Sequence, residues 1–130
     1  MSDTHGKIYW SEVMTRDFEG VKKFYATVLG WTYSQMDGME DTYALAHAGG
    51  EIPCAGIGDM DEMGLDKSIP PHWFTYIAVD DIDAAVKKVE DGGGSLVKDV
   101  FEIPNIGKIA IATDAGGATL GFIQPAEQQA

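Results

Sequence analysis

From residue 8 onward apolar and polar positions alternate, with Trp10, Glu12 and Met14 on one side of an extended segment and Tyr9, Ser11 and Val13 on the other. This pattern predicts a strand over residues 7–14. The spacing then lengthens. Phe18, Val21, Tyr25 and Val28, with Phe24 and Leu29 beside them, recur at helical intervals and predict one apolar stripe. Thr15 or Asp17 is placed to cap that helix, and Gly30 to end it. Strands are expected over residues 31–36, 42–48 and 52–60, divided by turn signals at Asp37-Gly38 and Gly49-Gly50. Residues 61–71 lack periodicity and close on Pro70-Pro71, which makes them a linker.

The same order of events then repeats. A strand is expected over residues 72–79, a helix capped by Asp80 or Asp81 with Ile82, Ala85, Val86 and Val89 facing inward, and a stop at Gly92 to Gly94. Strands over 95–102, 108–113 and 119–123 complete the series, with turns at residues 104–107 and 114–117. Sliding residues 8–30 onto 72–94 lays Asp17 over Asp81 and Gly30 over Gly94, and brings Trp10 onto Phe74, Glu12 onto Tyr76 and Met14 onto Ala78. The chain thus reads as a duplicated βαβββ module of roughly sixty residues, one copy over 7–60 and the other over 72–125, in the α+β class. Residues 1–6 and the polar ending after Pro125 are expected to be loose.

Composition narrows the function. An apolar share of 45 % and a charged share of 23 % are those of a globular domain, and 130 residues suffice for one core. A net charge of −12 repels polyphosphate backbones and anionic membrane surfaces, so neither nucleic acid nor membrane is expected as a partner. The single cysteine, Cys54, excludes an internal disulfide and a thiolate zinc site, and no apolar leader or long apolar run is present, so a cytoplasmic location is expected. There is no G-x-S-x-G elbow and no glycine-rich phosphate loop followed by lysine.

Three stretches carry a family resemblance: FYATVLGW at residues 24–31, VDDIDAA at 79–85 and DAGGATLGFIQP at 114–125. With the tandem βαβββ order, the chain resembles the vicinal-oxygen-chelate superfamily of glyoxalase I, bleomycin-resistance proteins and extradiol dioxygenases. GFIQP and PPHW look most like its glyoxalase-related branch of unassigned activity. The resemblance implies two modules of four strands forming an open, eight-stranded, barrel-like cleft. It also implies, in the metal-dependent members, a divalent ion held by His, Glu or Gln on the first and last strands of each module. Laid on this chain, those positions fall on Trp10, Phe74 and Gly121, with the fourth between Glu51 and Gly58, where only Glu51 and Cys54 have donor side chains. No metal or other cofactor is therefore predicted. The alternative is a metal on a different constellation, Glu12 with His47 and His72.

What remains is a set of rings around one carboxylate. Trp10, Met14, Phe74, Ala78 and Gly121 are the candidate ligand-binding residues. Glu12 and Tyr76, equivalent in the repeat, are the candidate catalytic pair. A carboxylate held among rings loses hydration, which should raise its pKa and suit it to act as a base or an anchor; the competing expectations are that Glu12 pairs with Arg16 or a lysine or meets a second subunit, and that the rings are simply packed core. The first reading is a metal-independent small-molecule-binding protein, as a homodimer. The alternatives are a lyase, isomerase or dioxygenase using Glu12, and an acidic protein-interaction module.

Overall fold

A computed structural model describes residues 3–36, 38–39 and 41–126; Asp37 of the first expected turn, and the polar tail from residue 127, lie outside the described residues. The order is β1 (Ile8–Thr15), α1 (Phe18–Leu29), β2 (Thr32–Gln35), β3 (Tyr43–His47), β4 (Ala55–Asp59), β5 (His72–Ala78), α2 (Ile82–Lys87), β6 (Ser95–Ile103), β7 (Gly107–Thr113) and β8 (Thr119–Pro125). This is the expected α+β duplication, with most boundaries moved by a residue or two. The chain forms two compact units, one of residues 11–74 and one of residues up to Trp10 together with those from Thr75 on.

In the unit of residues 11–74, β1 pairs in parallel with β4, which sets Glu12 opposite Gly56 and Met14 opposite Gly58. Strand β4 runs antiparallel to β3, and β3 antiparallel to β2. The inward side of α1 covers one face of these strands, where Phe18, Val21, Tyr25 and Tyr33 pack on Val13, Ala44 and Ile57. Because strand side chains alternate, Glu12 and Met14 are left on the other face.

Asp17 is the N-cap of α1, its carboxylate accepting the Gly20 N–H at 3.1 Å, while Thr15 plays a supporting part by accepting the Asp17 N–H at 2.9 Å. Removing that cap in Asp17→Ala should lower stability by about 1 kcal/mol in denaturant unfolding, with the midpoint shifted and the slope unchanged. The apolar stripe of α1 is wider than the face that packs. No residue of the helix is fully buried, and Phe24, Val28 and Leu29 are 56 %, 59 % and 55 % exposed. Phe24 and Val28 lie toward one flank of the helix and Leu29 is its last residue, where the chain turns off through Gly30 at φ 76°.

The linker is pinned by Arg16, whose guanidinium donates to the Asp61 carboxylate at 2.6 Å and to the carbonyls of Asp66 and Ile69 at 2.6 and 2.9 Å. Hydrogen bonds from Ser68, with a smaller contribution from Arg16, hold the Asp66 carboxyl below its ordinary range.

In the other unit β5 pairs in parallel with β8, setting Tyr76 opposite Gly121, and β7 lies antiparallel to both β8 and β6. Ile82, Val79 and Ala110 form a core under α2, and Ala78, Ile109 and Ile123 form another with Tyr76, Phe101 and Ile103. The N-terminal segment is not loose from residue 5 on. Gly6 N–H donates to the Ala78 carbonyl at 2.7 Å, Ala78 N–H to the Lys7 carbonyl at 2.9 Å, and Asp80 N–H to His5 Nδ1 at 3.0 Å. Asp81 caps α2 by accepting the Ala84 N–H at 3.1 Å, and the helix closes after six residues in a chain of turns running to Gly94. No helix among the described residues is long and apolar enough to cross a membrane.

Candidate functional site

The face of residues 11–74 that turns away from α1 is where polar chemistry collects. Val13, Ile57, Ala44 and Tyr33 point toward the helix. Alternation then sends Glu12 on β1, Gly56 on β4, Tyr43 and His47 on β3 and Ser34 on β2 to the opposite side. There the Tyr43 hydroxyl donates to Glu12 Oε1 at 2.7 Å. Both residues are buried, at 6 % and 8 % exposure. A buried carboxylate is costly without donors, and a short O–H···O⁻ bond is one of the stronger ways of offsetting that cost.

The sequence permits this bond through a glycine. Tyr43 starts two strands away from Glu12, and β4 runs between them. A Cβ built on Gly56 would lie 1.8 Å from the Tyr43 hydroxyl oxygen, so the phenol crosses β4 through space that any side chain at 56 would fill. The neighbouring Gly58 plays the same part for Met14, whose sulfur would sit 2.9 Å from an added Cβ.

A second polar pair lies on this face. His47 Nδ1 is 3.1 Å from the Gly50 carbonyl and Nε2 is 2.7 Å from Ser34 Oγ. A carbonyl only accepts, so the neutral ring carries its proton on Nδ1 and takes the serine hydroxyl's hydrogen bond at Nε2.

The expected site residues are therefore placed unequally. Glu12 and Met14 share a buried face with Tyr43, a residue that the sequence reading passed over. Phe74 is buried and Trp10 half-buried. Tyr76 and Ala78 belong to the apolar cluster with Ile109 and Ile123, and Gly121 is buried opposite Tyr76. Arg16 is occupied by Asp61 and the linker carbonyls, so the pairing of Glu12 with Arg16 is replaced by the bond from Tyr43. A separate cavity of about 470 Å³ lies on the helix side of the other unit, lined by Ala85, Val89, Ala112, Leu120 and Phe122; it contains none of these residues.

The strand register also completes the metal comparison. Gly121 lies opposite Tyr76 and Gly56 opposite Glu12, so in the duplicated pattern the fourth position is Gly56, and neither Glu51 nor Cys54 occupies it. Trp10, Gly56, Phe74 and Gly121 offer no side-chain donor, and the four-ligand centre does not fit this chain. The alternative constellation does not assemble either. His47 is held by Gly50 and Ser34, the His72 ring faces the Pro70 carbonyl at 2.7 Å, and the described residues contain no group of three His, Cys, Asp or Glu able to hold an ion.

Comparison with known proteins follows the same outline. The sequence model of the Glyoxalase/Bleomycin resistance protein/Dioxygenase superfamily matches residues 7–122. CFP32 of Mycobacterium tuberculosis, whose name places it provisionally among glyoxylases, is 39 % identical over 117 residues, covering 88 % of this chain and 44 % of that protein. The anthracycline biosynthesis protein DnrV of Streptomyces peucetius is 29 % identical over 119 residues, covering 92 % of this chain and 42 % of that one. The chain thus spans less than half the length of these relatives. Among solved structures, methylmalonyl-CoA epimerase from Mycobacterium tuberculosis superposes with a TM-score of 0.60 at 19 % identity, covering 98 % of this chain and 94 % of the other. The Mn(II)-bound glyoxalase from Novosphingobium aromaticivorans superposes with 0.62 at 19 %, covering 98 % and 43 %. At such identities these two similarities speak for the fold.

Proposed function

The chain belongs to the Glyoxalase/Bleomycin resistance protein/Dioxygenase superfamily, and from that premise we propose that it binds a small aromatic molecule without the family's four-ligand metal centre. The observation that carries this is the buried Glu12–Tyr43 pair above Gly56, set against ligand positions that hold Trp10, Gly56, Phe74 and Gly121. Carboxylate and phenol oxygens both accept hydrogen bonds, which suits this pair to orient a hydroxyl or ammonium group on a flat ligand. Met14, on the same face, and Phe74 of the same unit are proposed as its further contacts.

Two relatives are named for anthracycline biosynthesis, which supports a planar, oxygenated polycycle as the ligand class. Daunorubicin is the probe: it should quench tryptophan emission with saturable, one-to-one behaviour, and Glu12→Gln should weaken that binding about tenfold, the cost of one charge-assisted hydrogen bond. Metal analysis of the purified protein, repeated after adding Zn, Ni and Mn, should find less than stoichiometric metal and no rise in melting temperature. Stoichiometric metal that raises the melting temperature would overturn the proposal. So would linear, unsaturable quenching by daunorubicin and by simpler phenols and quinones.

The buried Glu12 also favours a second reading, an isomerase or lyase in which this carboxylate takes the proton. Turnover of a thiol adduct of methylglyoxal that disappears in Glu12→Gln would select that reading over binding alone. Turnover that persists unchanged would remove Glu12 from the chemistry.

A further inference from the structure

The cavity of about 470 Å³ between α2 and its strands has a cause in the sequence. In the register that aligns the two copies of the module, Phe18, Val21 and Tyr25 correspond to Ile82, Ala85 and Val89. The first three pack between α1 and its strands, and at every one of these positions the second copy carries the smaller side chain. The roof is shorter as well. Helix α1 runs for 12 residues, whereas α2 ends after 6 and the chain continues in turns to Gly94. Protein interiors are close-packed as a rule, and the layer that is filled in one module is left hollow in the other.

The lining sorts by position. Val79, Ala112, Leu120 and Phe122 on the strands and Ala85 and Val89 on the helix side make the walls apolar. Alternation along the strands sends Tyr76 and its neighbour Gly121 to the opposite face. The titratable groups at the edge are His5, Asp80, Asp81, Lys88 and Asp114, all exposed. His5 takes the Asp80 N–H at Nδ1, which leaves its ring neutral with the proton on Nε2. Three carboxylates then outnumber one ammonium, and the edge is negative.

We propose that this cavity binds a small amphiphilic amine, with its aliphatic or single-ring body between α2 and the strands and its ammonium group at the carboxylate edge. The volume lies within the range of small-molecule sites, about 300–1,000 Å³, and apolar walls with a few polar groups at the mouth are their usual composition. Water held against such walls finds few hydrogen-bond partners, so an apolar body displaces it with gain. Phosphates and sulfonates are disfavoured by the negative edge, and sugars by the walls. No lining residue lies within residues 11–74, so this site is separate from the Glu12–Tyr43 pair and stands or falls independently of it.

4-Phenylbutylamine is the probe, with 4-phenylbutanol and 4-phenylbutyrate as its neutral and anionic counterparts. Titration calorimetry should show one-to-one binding of the amine, with the alcohol about fivefold weaker and the acid weaker still. The preference for the amine should shrink at high salt. In amide NMR spectra the amine should shift Ala85, Val89, Ala112 and Leu120 and leave Glu12 and Tyr43 unmoved. The double substitution Ala85→Val with Val89→Tyr gives the cavity the side chains of the first copy, where the same layer packs. It should raise the amine's dissociation constant about tenfold or more, while Glu12→Gln leaves that constant unchanged. Unsaturable binding of the amine, alcohol or acid binding as tightly as the amine, or NMR shifts outside the lining would overturn the proposal. So would a folded double variant that binds the amine like the parent; if that variant does not fold, the NMR map of the unsubstituted chain decides.

Discussion

Gly56→Ala should cost about 3–5 kcal/mol in urea unfolding, far more than one added methyl group usually costs, because overpacking and the loss of a buried hydrogen bond act together. The new Cβ would lie 1.8 Å from the Tyr43 hydroxyl oxygen, 2.3 Å from Cζ and 2.9 Å from Cε2. Backbone movement offers little relief, since β4 is paired on both edges, to β1 and to β3. The ring must leave, and Glu12 then stays buried without the phenol's hydrogen bond. A double-mutant cycle isolates this. In a Tyr43→Ala background the space above Gly56 is empty, and Gly56→Ala should then cost less than about 1 kcal/mol, giving a coupling of 2 kcal/mol or more. Equal costs in both backgrounds would show that the glycine serves the strand and not the Glu12–Tyr43 pair. Tyr43→Phe alone should cost about 1.5–3 kcal/mol, the range for a hydrogen bond to a charged group. Daunorubicin binding should fall in Gly56→Ala and in Tyr43→Phe alike, since both change what Glu12 presents.

The contrast between Glu12 and Tyr43 shows what a sequence of this kind discloses. Glu12 stood out because a charged residue interrupted an otherwise apolar strand face, and the duplication set it over Tyr76. Tyr43 gave no such signal. It opens a short strand as an ordinary β-former, and its partner lies two strands away, a distance that only the β1–β4–β3 register reveals. The module order was readable because turns, caps and helical spacing are local properties. What remained hidden were the contacts made between strands distant in sequence, Gly56 included, for which a glycine between apolar neighbours reads as a bulge or a bend. The helices misled in an instructive way. Periodicity reports which residues could be buried on one stripe, so Phe24 and Val28 joined Phe18, Val21 and Tyr25, although only the latter three pack on the strands. His5, assigned to a loose end, accepts the Asp80 N–H because Gly6 and Lys7 bond with Ala78.

The triple glycine after α2 carries the other large effect; its expected role is to stop the helix, but α2 already ends at Lys87 with Lys88 as its cap, and two of the three glycines instead serve the turns that follow, each for a different reason. Gly92 has only the carbonyls of Lys88 and Val89 near its missing Cβ, both at 3.6 Å, so Gly92→Ala should be neutral or stabilising by up to about 1 kcal/mol through a less disordered unfolded chain. Gly93 has φ 92° and would meet Ala115 Cβ at 3.2 Å, so Gly93→Ala should cost about 1–2 kcal/mol in backbone strain. Gly94 has no unusual φ, yet its Cβ would lie 2.3 Å from the Thr113 carbonyl oxygen at the end of β7. That oxygen belongs to backbone and cannot swing aside as a side chain could. Gly94 N–H is meanwhile held by the Val89 carbonyl at 3.0 Å, which fixes the turn from the other side. Gly94→Ala should therefore be the most damaging of the three, at about 3 kcal/mol or more, and should lower the melting temperature where Gly92→Ala does not. If positive φ were the whole reason for the motif, Gly93→Ala would be the worst of the series instead, and the close approach of Gly94 to β7 would count for nothing.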